Sequence, residues 1–245
     1  MENNRYERKN DPMKKVGLIL FTVVACAFIA AFGMCINALS VPVFAVTRPM
    51  CVVLDAGHGG IDGGVVGRET GVKESDVNLA VTMKLKTVLE RAGFDVVLTR
   101  KTEAGLYGAA TKGFKRRDMS KRKEIIEEAK PIVMISVHQN FYPTRTSRGG
   151  QVFYRSGNES GQKLAEGIQK QFNDLYGEQG VRQRTAATGD YYMLKCTDYT
   201  SVIAECGFLS NSKDEALLVT EAFQESIAQA IYAGLADYLA AVSGA

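Results

Sequence analysis

The sequence predicts an α/β domain, with a mostly parallel central sheet of about six strands and helices on both faces. Three observations carry this. Apolar runs such as Val52-Val53-Leu54 and Ile132-Val133-Met134-Ile135 are short, β-branched and stopped by Gly or polar clusters, as in strands buried on both faces. Stretches with helical spacing alternate with them. Finally, each of the chain's two histidines closes such a run: His58 in Asp55-Ala56-Gly57-His58-Gly59-Gly60 and His138 in Ser136-Val137-His138-Gln139-Asn140. Ligands collect beyond the carboxyl ends of parallel strands, so two strand-end imidazoles distant in sequence can converge there.

The elements follow in order. Met50–Asp55 reads as a strand. Ser75–Ala92 is a helix by its apolar positions Val77, Leu79, Ala80, Met83, Leu85, Val88 and Leu89, with Gly93 as the stop. Phe94–Thr99 is strand-like, Arg116–Lys130 a helix stopped by Pro131, and Ile132–Val137 a strand. Gly150–Tyr154 is another strand. Glu159–Tyr176 is amphipathic through Leu164, Ile168 and Phe172. Tyr191–Leu194 reads as a short strand, Ser201–Cys206 as a better one, and Glu215–Ala241 as helix in two pieces.

Ahead of this domain, residues 16–47 carry no charged side chain and follow a basic tail with Arg5, Arg8, Lys9, Lys14 and Lys15. That run exceeds the roughly 20 residues needed to span hydrocarbon. Basic residues before it predict a cytoplasmic amino terminus and an exported domain. Residues 1–47 are thus expected to be tail and membrane anchor or signal segment, and 48–245 the catalytic domain. Val43-Phe44-Ala45 resembles a cleavage pattern, but the run is long for a cleaved signal, and a retained anchor is favoured. A net charge of +3 is too mild to argue for nucleic acid. Lys112 to Arg117 with Lys121-Arg122-Lys123 is the local exception. It reads as the solvated start of a helix, or as a surface attracted to an anionic polymer such as a cell wall. The five cysteines lack metal-ligand spacing and read as buried hydrophobes.

Two histidines near one rim suggest a catalytic zinc, which takes three protein ligands and keeps one position open. The third ligand should be a carboxylate. Glu74, after the Gly-rich loop and just before a helix, is best placed; its ordinary role would be to complement the helix dipole. Asp55 and Asp62 are rivals, and Asp55 can alternatively brace His58 as a hydrogen-bond acceptor. Glu205 closes the apolar strand Ser201-Val202-Ile203-Ala204-Glu205, where a carboxylate is costly unless used or paired. It is the candidate acid/base for a hydrolysis in which zinc lowers the pKa of water and polarises a carbonyl. Strand alternation turns Cys206 the other way, toward packing.

Four blocks carry a resemblance: Asp55-Ala56-Gly57-His58-Gly59-Gly60, Lys73-Glu74-Ser75-Asp76, Ser136-Val137-His138-Gln139-Asn140 and Glu205-Cys206-Gly207-Phe208-Leu209-Ser210-Asn211. In this order they resemble the signature blocks of the zinc-dependent N-acetylmuramoyl-L-alanine amidases, over about Cys51 to Leu239. The resemblance implies His58, Glu74 and His138 as zinc ligands and Glu205 as catalytic acid/base. It implies peptidoglycan as substrate, cleaved between N-acetylmuramic acid and L-alanine of the stem peptide. Ala56 stands where Pro is common in the first block, and Cys206 where a small or apolar residue is usual. Finer features resemble the spore-cortex branch, which leads to muramic δ-lactam and in some members needs an activating lipoprotein partner. Division-type members insert a long helix after the second histidine block, and only about ten residues separate Asn140 from Gly150 here. A general wall amidase, a glycoside hydrolase using Glu74 with Glu205, and a wall-binding domain without turnover are the competing readings.

Overall fold

The computed structural model describes residues 49–109 and 112–243. The apolar segment 16–47 lies outside the described residues; among the described residues, no helix is long and apolar enough to cross a membrane. Six strands form one sheet: β1 (Cys51–Ala56), β2 (Asp95–Leu98), β3 (Val133–Asn140), β4 (Gln151–Tyr154), β5 (Ala187–Thr188) and β6 (Thr200–Phe208), in the spatial order β2-β1-β3-β6-β4-β5. Pairing is parallel except between β4 and β6. The central β1, β3 and β6 are buried almost throughout, which is why they are continuous apolar runs rather than alternating ones.

The helices are α1 (Glu74–Arg91), α2 (Phe114–Ala129), α3 (Glu159–Gly177), α4 (Tyr192–Lys195), α5 (Ser212–Leu218) and α6 (Glu221–Ser243). α1, α3 and α6 cover one face of the sheet and enclose the main core, which includes Leu54, Leu85, Ile135, Ile168, Phe172, Val202 and Ile231. α3 and α6 cross so closely at Gly167 and Gly234 that a Cβ on Gly234 would run into the backbone of Ile168. The opposite face is thinner. There α2 and α4 pack Ile126, Met193 and Leu194 on Val53, Met134 and Ile203.

Several expectations are corrected. Tyr191–Leu194 is not a strand: Tyr192–Lys195 form the single helical turn α4, since a short apolar run fits either period. The two-residue β5 has no readable pattern. Met83 is 40% exposed and lies off the buried stripe of α1. The expected break in the last helix falls at Val219–Thr220, where Val219 ends α5 and Thr220 Oγ1 accepts from Phe223 N–H at the start of α6; Asn211 caps the other end of α5 by accepting from Lys213 and Asp214 N–H groups. No helix intervenes between β3 and β4 among the described residues.

The topology locates the site. From β1 the chain crosses to β2 on one side and then returns to β3 on the other, so the connections diverge at the carboxyl ends of β1 and β3. Such switch points open a crevice at the sheet edge.

Candidate active site

At the end of β1 the chain turns sharply at Gly57-His58-Gly59-Gly60. His58 has φ +60°, a left-handed conformation costly for a residue with a Cβ. Two buried guanidinium groups hold it. Arg122 donates to His58 O at 2.6 Å and Ala56 O at 2.7 Å, and Arg100 donates to Ala56 O and Gly57 O, each at 2.9 Å. Arg122 is fully buried and pairs with Asp55 and Asp118, each at 2.5 Å. It is therefore no part of a solvated basic face. Gly57 must be glycine: a Cβ there would overlap the His138 ring.

That contact brings the histidines together, with ring centroids 5.0 Å apart and planes at 77°. Glu74, the first residue of α1 and 3% exposed, lies between them. Its Oε1 is 2.9 Å from His138 Nδ1 and accepts from Gln139 N–H and Asn78 Nδ2; its Oε2 is 3.3 Å from His58 Nε2 and accepts from Val65 N–H. One ligand atom each from His58, Glu74 and His138 lie within 4.8 Å of one another, so this group can hold a metal ion. Burial opposes ionisation of Glu74, but the hydrogen bonds and charge of the two imidazoles outweigh it and hold the carboxyl well below the usual range. Burial likewise disfavours a charged His58, yet the Glu74 and Asp62 carboxylates raise it to about 9.

Asp62 and not Asp55 braces His58: Asp62 Oδ1 lies 3.0 Å from His58 Nδ1. Asp55 is spent on Arg122, Thr99 and Ser136, and neither aspartate belongs to the three-residue group. The loop between His58 and Glu74 is fixed from afar by buried Glu215. Its carboxylate accepts from Arg68, Glu69 and Thr70 N–H groups and from the Thr70 hydroxyl, at 2.7 to 3.1 Å.

Glu205 stands on β6 directly opposite His138. It lines the same cavity of about 380 Å³ as His58, Glu74, His138, Lys115 and Tyr191. Its buried Oε2 has no hydrogen-bond partner among the described residues. Burial raises its pKa to about 7, with His138 opposing and Glu74 adding to the rise. Cys206 turns into the main core, where burial raises its thiol. Cys51, Cys196 and Cys206 are all free thiols. Sequence reasoning missed Arg100, Asp118 and the pairing role of Arg122.

The switch-point crevice, the His-Glu-His group and the under-partnered carboxylate beside it are those of a hydrolase built at the edge of a mostly parallel sheet. The chain belongs to the N-acetylmuramoyl-L-alanine amidase family, whose model matches residues 52–237, and it is a hydrolase of that class. It is 34% identical over 190 residues to the germination-specific N-acetylmuramoyl-L-alanine amidase of Bacillus subtilis, covering 76% of this chain and 78% of that protein. Among solved structures it is similar to the CwlD amidase from Clostridioides difficile, solved in complex with the GerS lipoprotein. That match has 36% identity and a TM-score of 0.75, over 78% of this chain and 99% of that one. It is also similar to the catalytic domain of CwlV from Bacillus (Paenibacillus) polymyxa var. colistinus, at 31% identity and a TM-score of 0.67 over 78% and 98% of the two chains.

Proposed function

We propose that this protein is a zinc-dependent amidase that detaches stem peptides from muramic acid in spore cortex, on the route to muramic δ-lactam. The observation that carries the chemistry is the pairing, in one cavity, of a His-Glu-His group with a carboxylate raised to about 7. The similarity to a germination-specific relative supports the cortex role.

His58, Glu74 and His138 would hold the metal, and their donor set fits zinc, which accepts imidazole nitrogen and carboxylate oxygen. Bound there, zinc supplies a lowered water pKa and stabilises charge developing on a carbonyl oxygen. Asp62 fixes the tautomer and tilt of His58 by accepting its Nδ1–H. Glu205 accepts a proton from the water that adds to the lactyl carbonyl. It returns that proton to the alanine nitrogen as the C–N bond breaks, leaving a lactyl carboxylic acid and a free peptide amine. A carboxyl near 7 can do both at neutral pH.

The apolar segment 16–47 serves, in this proposal, as a retained membrane anchor that places domain 48–245 outside the cytoplasm. The lipoprotein in the complex of the similar C. difficile amidase supports a lipoprotein partner here as well. The test is digestion of purified cortex peptidoglycan with and without zinc or a chelator, read by mass spectrometry of the products. Free stem peptide, abolished by the chelator, is expected; broken glycan or an unchanged pattern would refute the proposal.

A further inference from the structure

A second, larger cavity of about 760 Å³ lies at the same sheet edge as the first. It is formed where the chain enters β4 and β5, and Arg148, Gln151, Arg182 and Arg184 line it. Its lining contains no aspartate or glutamate. Because β4 runs antiparallel to β6, its first residue, Gln151, sits opposite Glu205, and the groove begins beside the proposed acid/base.

Two of the three arginines are held in place, and the third, Arg182, is exposed. Arg148 Nε donates to the fully buried Asp214 at 2.8 Å, and the same carboxylate accepts from Gly149 N–H and Phe208 N–H. Arg184 Nε donates to Arg148 O at 3.1 Å, and its guanidinium lies over the Phe208 ring at 5.1 Å from the centroid. Phe208 follows Glu205 by three strand residues, about 10 Å along β6. An extended peptide covers about the same length in three residues.

We propose that this groove binds the free carboxylates of the stem peptide, two or three residues beyond the amide that is cleaved, and so sets substrate preference. The proposal rests on the amidase reading of the neighbouring pocket. Guanidinium forks match carboxylates geometrically, and a groove with arginines and no lining acid favours an anionic segment over a neutral one.

The test is calorimetric titration of the full-length protein with a synthetic stem tripeptide, its carboxylates either free or amidated. The free form should bind about tenfold more tightly, and R182Q/R184Q should remove that difference. R182Q alone, at an exposed position, should remove part of it and serves if the double variant does not fold. Equal binding of the two peptides by the wild type, or a difference that survives both variants, would overturn the proposal. So would tighter, arginine-dependent binding of polyglycerol phosphate than of the peptide. Peptide release from muropeptides, measured in parallel, tests the amidase reading separately: release without carboxylate preference sinks only the groove, and carboxylate preference without release sinks only the amidase.

Discussion

On the α1 side of the pocket, Glu74 is met by Val65 and Gln139 N–H groups, the Asn78 amide and both imidazoles. On the β6 side, Glu205 has one buried oxygen that meets no donor. Donors and cations keep the first carboxyl ionised and immobile, as a ligand must be. Burial without donors lets the second hold a proton near neutrality, as a shuttle must. Residue type does not assign the roles; the supply of hydrogen-bond donors does.

The sharpest way to break this contrast is Glu205→Gln, which keeps the shape and removes the titration. Turnover on muropeptides should fall about 10³-fold while metal content by elemental analysis stays that of the wild type. Retained turnover would take the proton shuttle away from Glu205. On the ligand side, Asp62→Ala removes the acceptor for His58 Nδ1, and zinc affinity measured by competition with a chromogenic chelator should drop about 10- to 100-fold. Unchanged affinity would show that the loop alone orients the ring.

Asp55 tests the scaffold beneath both. Burial works against its charge, but Arg122, Ser136 and Thr99 hold its pKa near 2, below its ordinary value. A depressed carboxyl stabilises the fold above the unfolded pKa of about 4 and loses that stabilisation as pH falls toward 2. Urea titrations should lose about 2 kcal/mol across that window, and Asp55→Asn should flatten it. The mildest expectation concerns rate. A base must be deprotonated, so kcat/KM should fall about tenfold per pH unit on the acid side of a limb at or below about 7, since a bound dication lowers it. A limb unchanged in Glu205→Asp and Glu205→Gln would belong to another group.

How much of this was legible in the chain differs by residue. His58 and His138 could be found because each ends a run whose pattern is unmistakable, and Glu74 because it opens a well-spaced helix. The choice between Asp55 and Asp62 could not be made, because the glycines of the turn let the chain double back by an amount no periodicity records. The Arg122 pairing hid inside a run of charges. Its signal was present, since Asp118, Arg122 and Ile126 recur every four residues on the buried stripe of α2, but the six other cations between Lys112 and Lys123 pointed to solvent. A carboxylate inside a buried strand, as at Asp55, demands a cation from somewhere, and that demand was the missing cue.

Glu215 carries a practical consequence. It lies beyond every residue of the pocket in sequence, yet it ties down Arg68–Thr70, midway between His58 and Glu74. A trimmed version ending at Leu209 would preserve all four pocket side chains and release that tether. A serviceable catalytic unit therefore runs on past Glu205 through this clasp and through α6, which closes the core, and does not stop at the last group that touches the reaction.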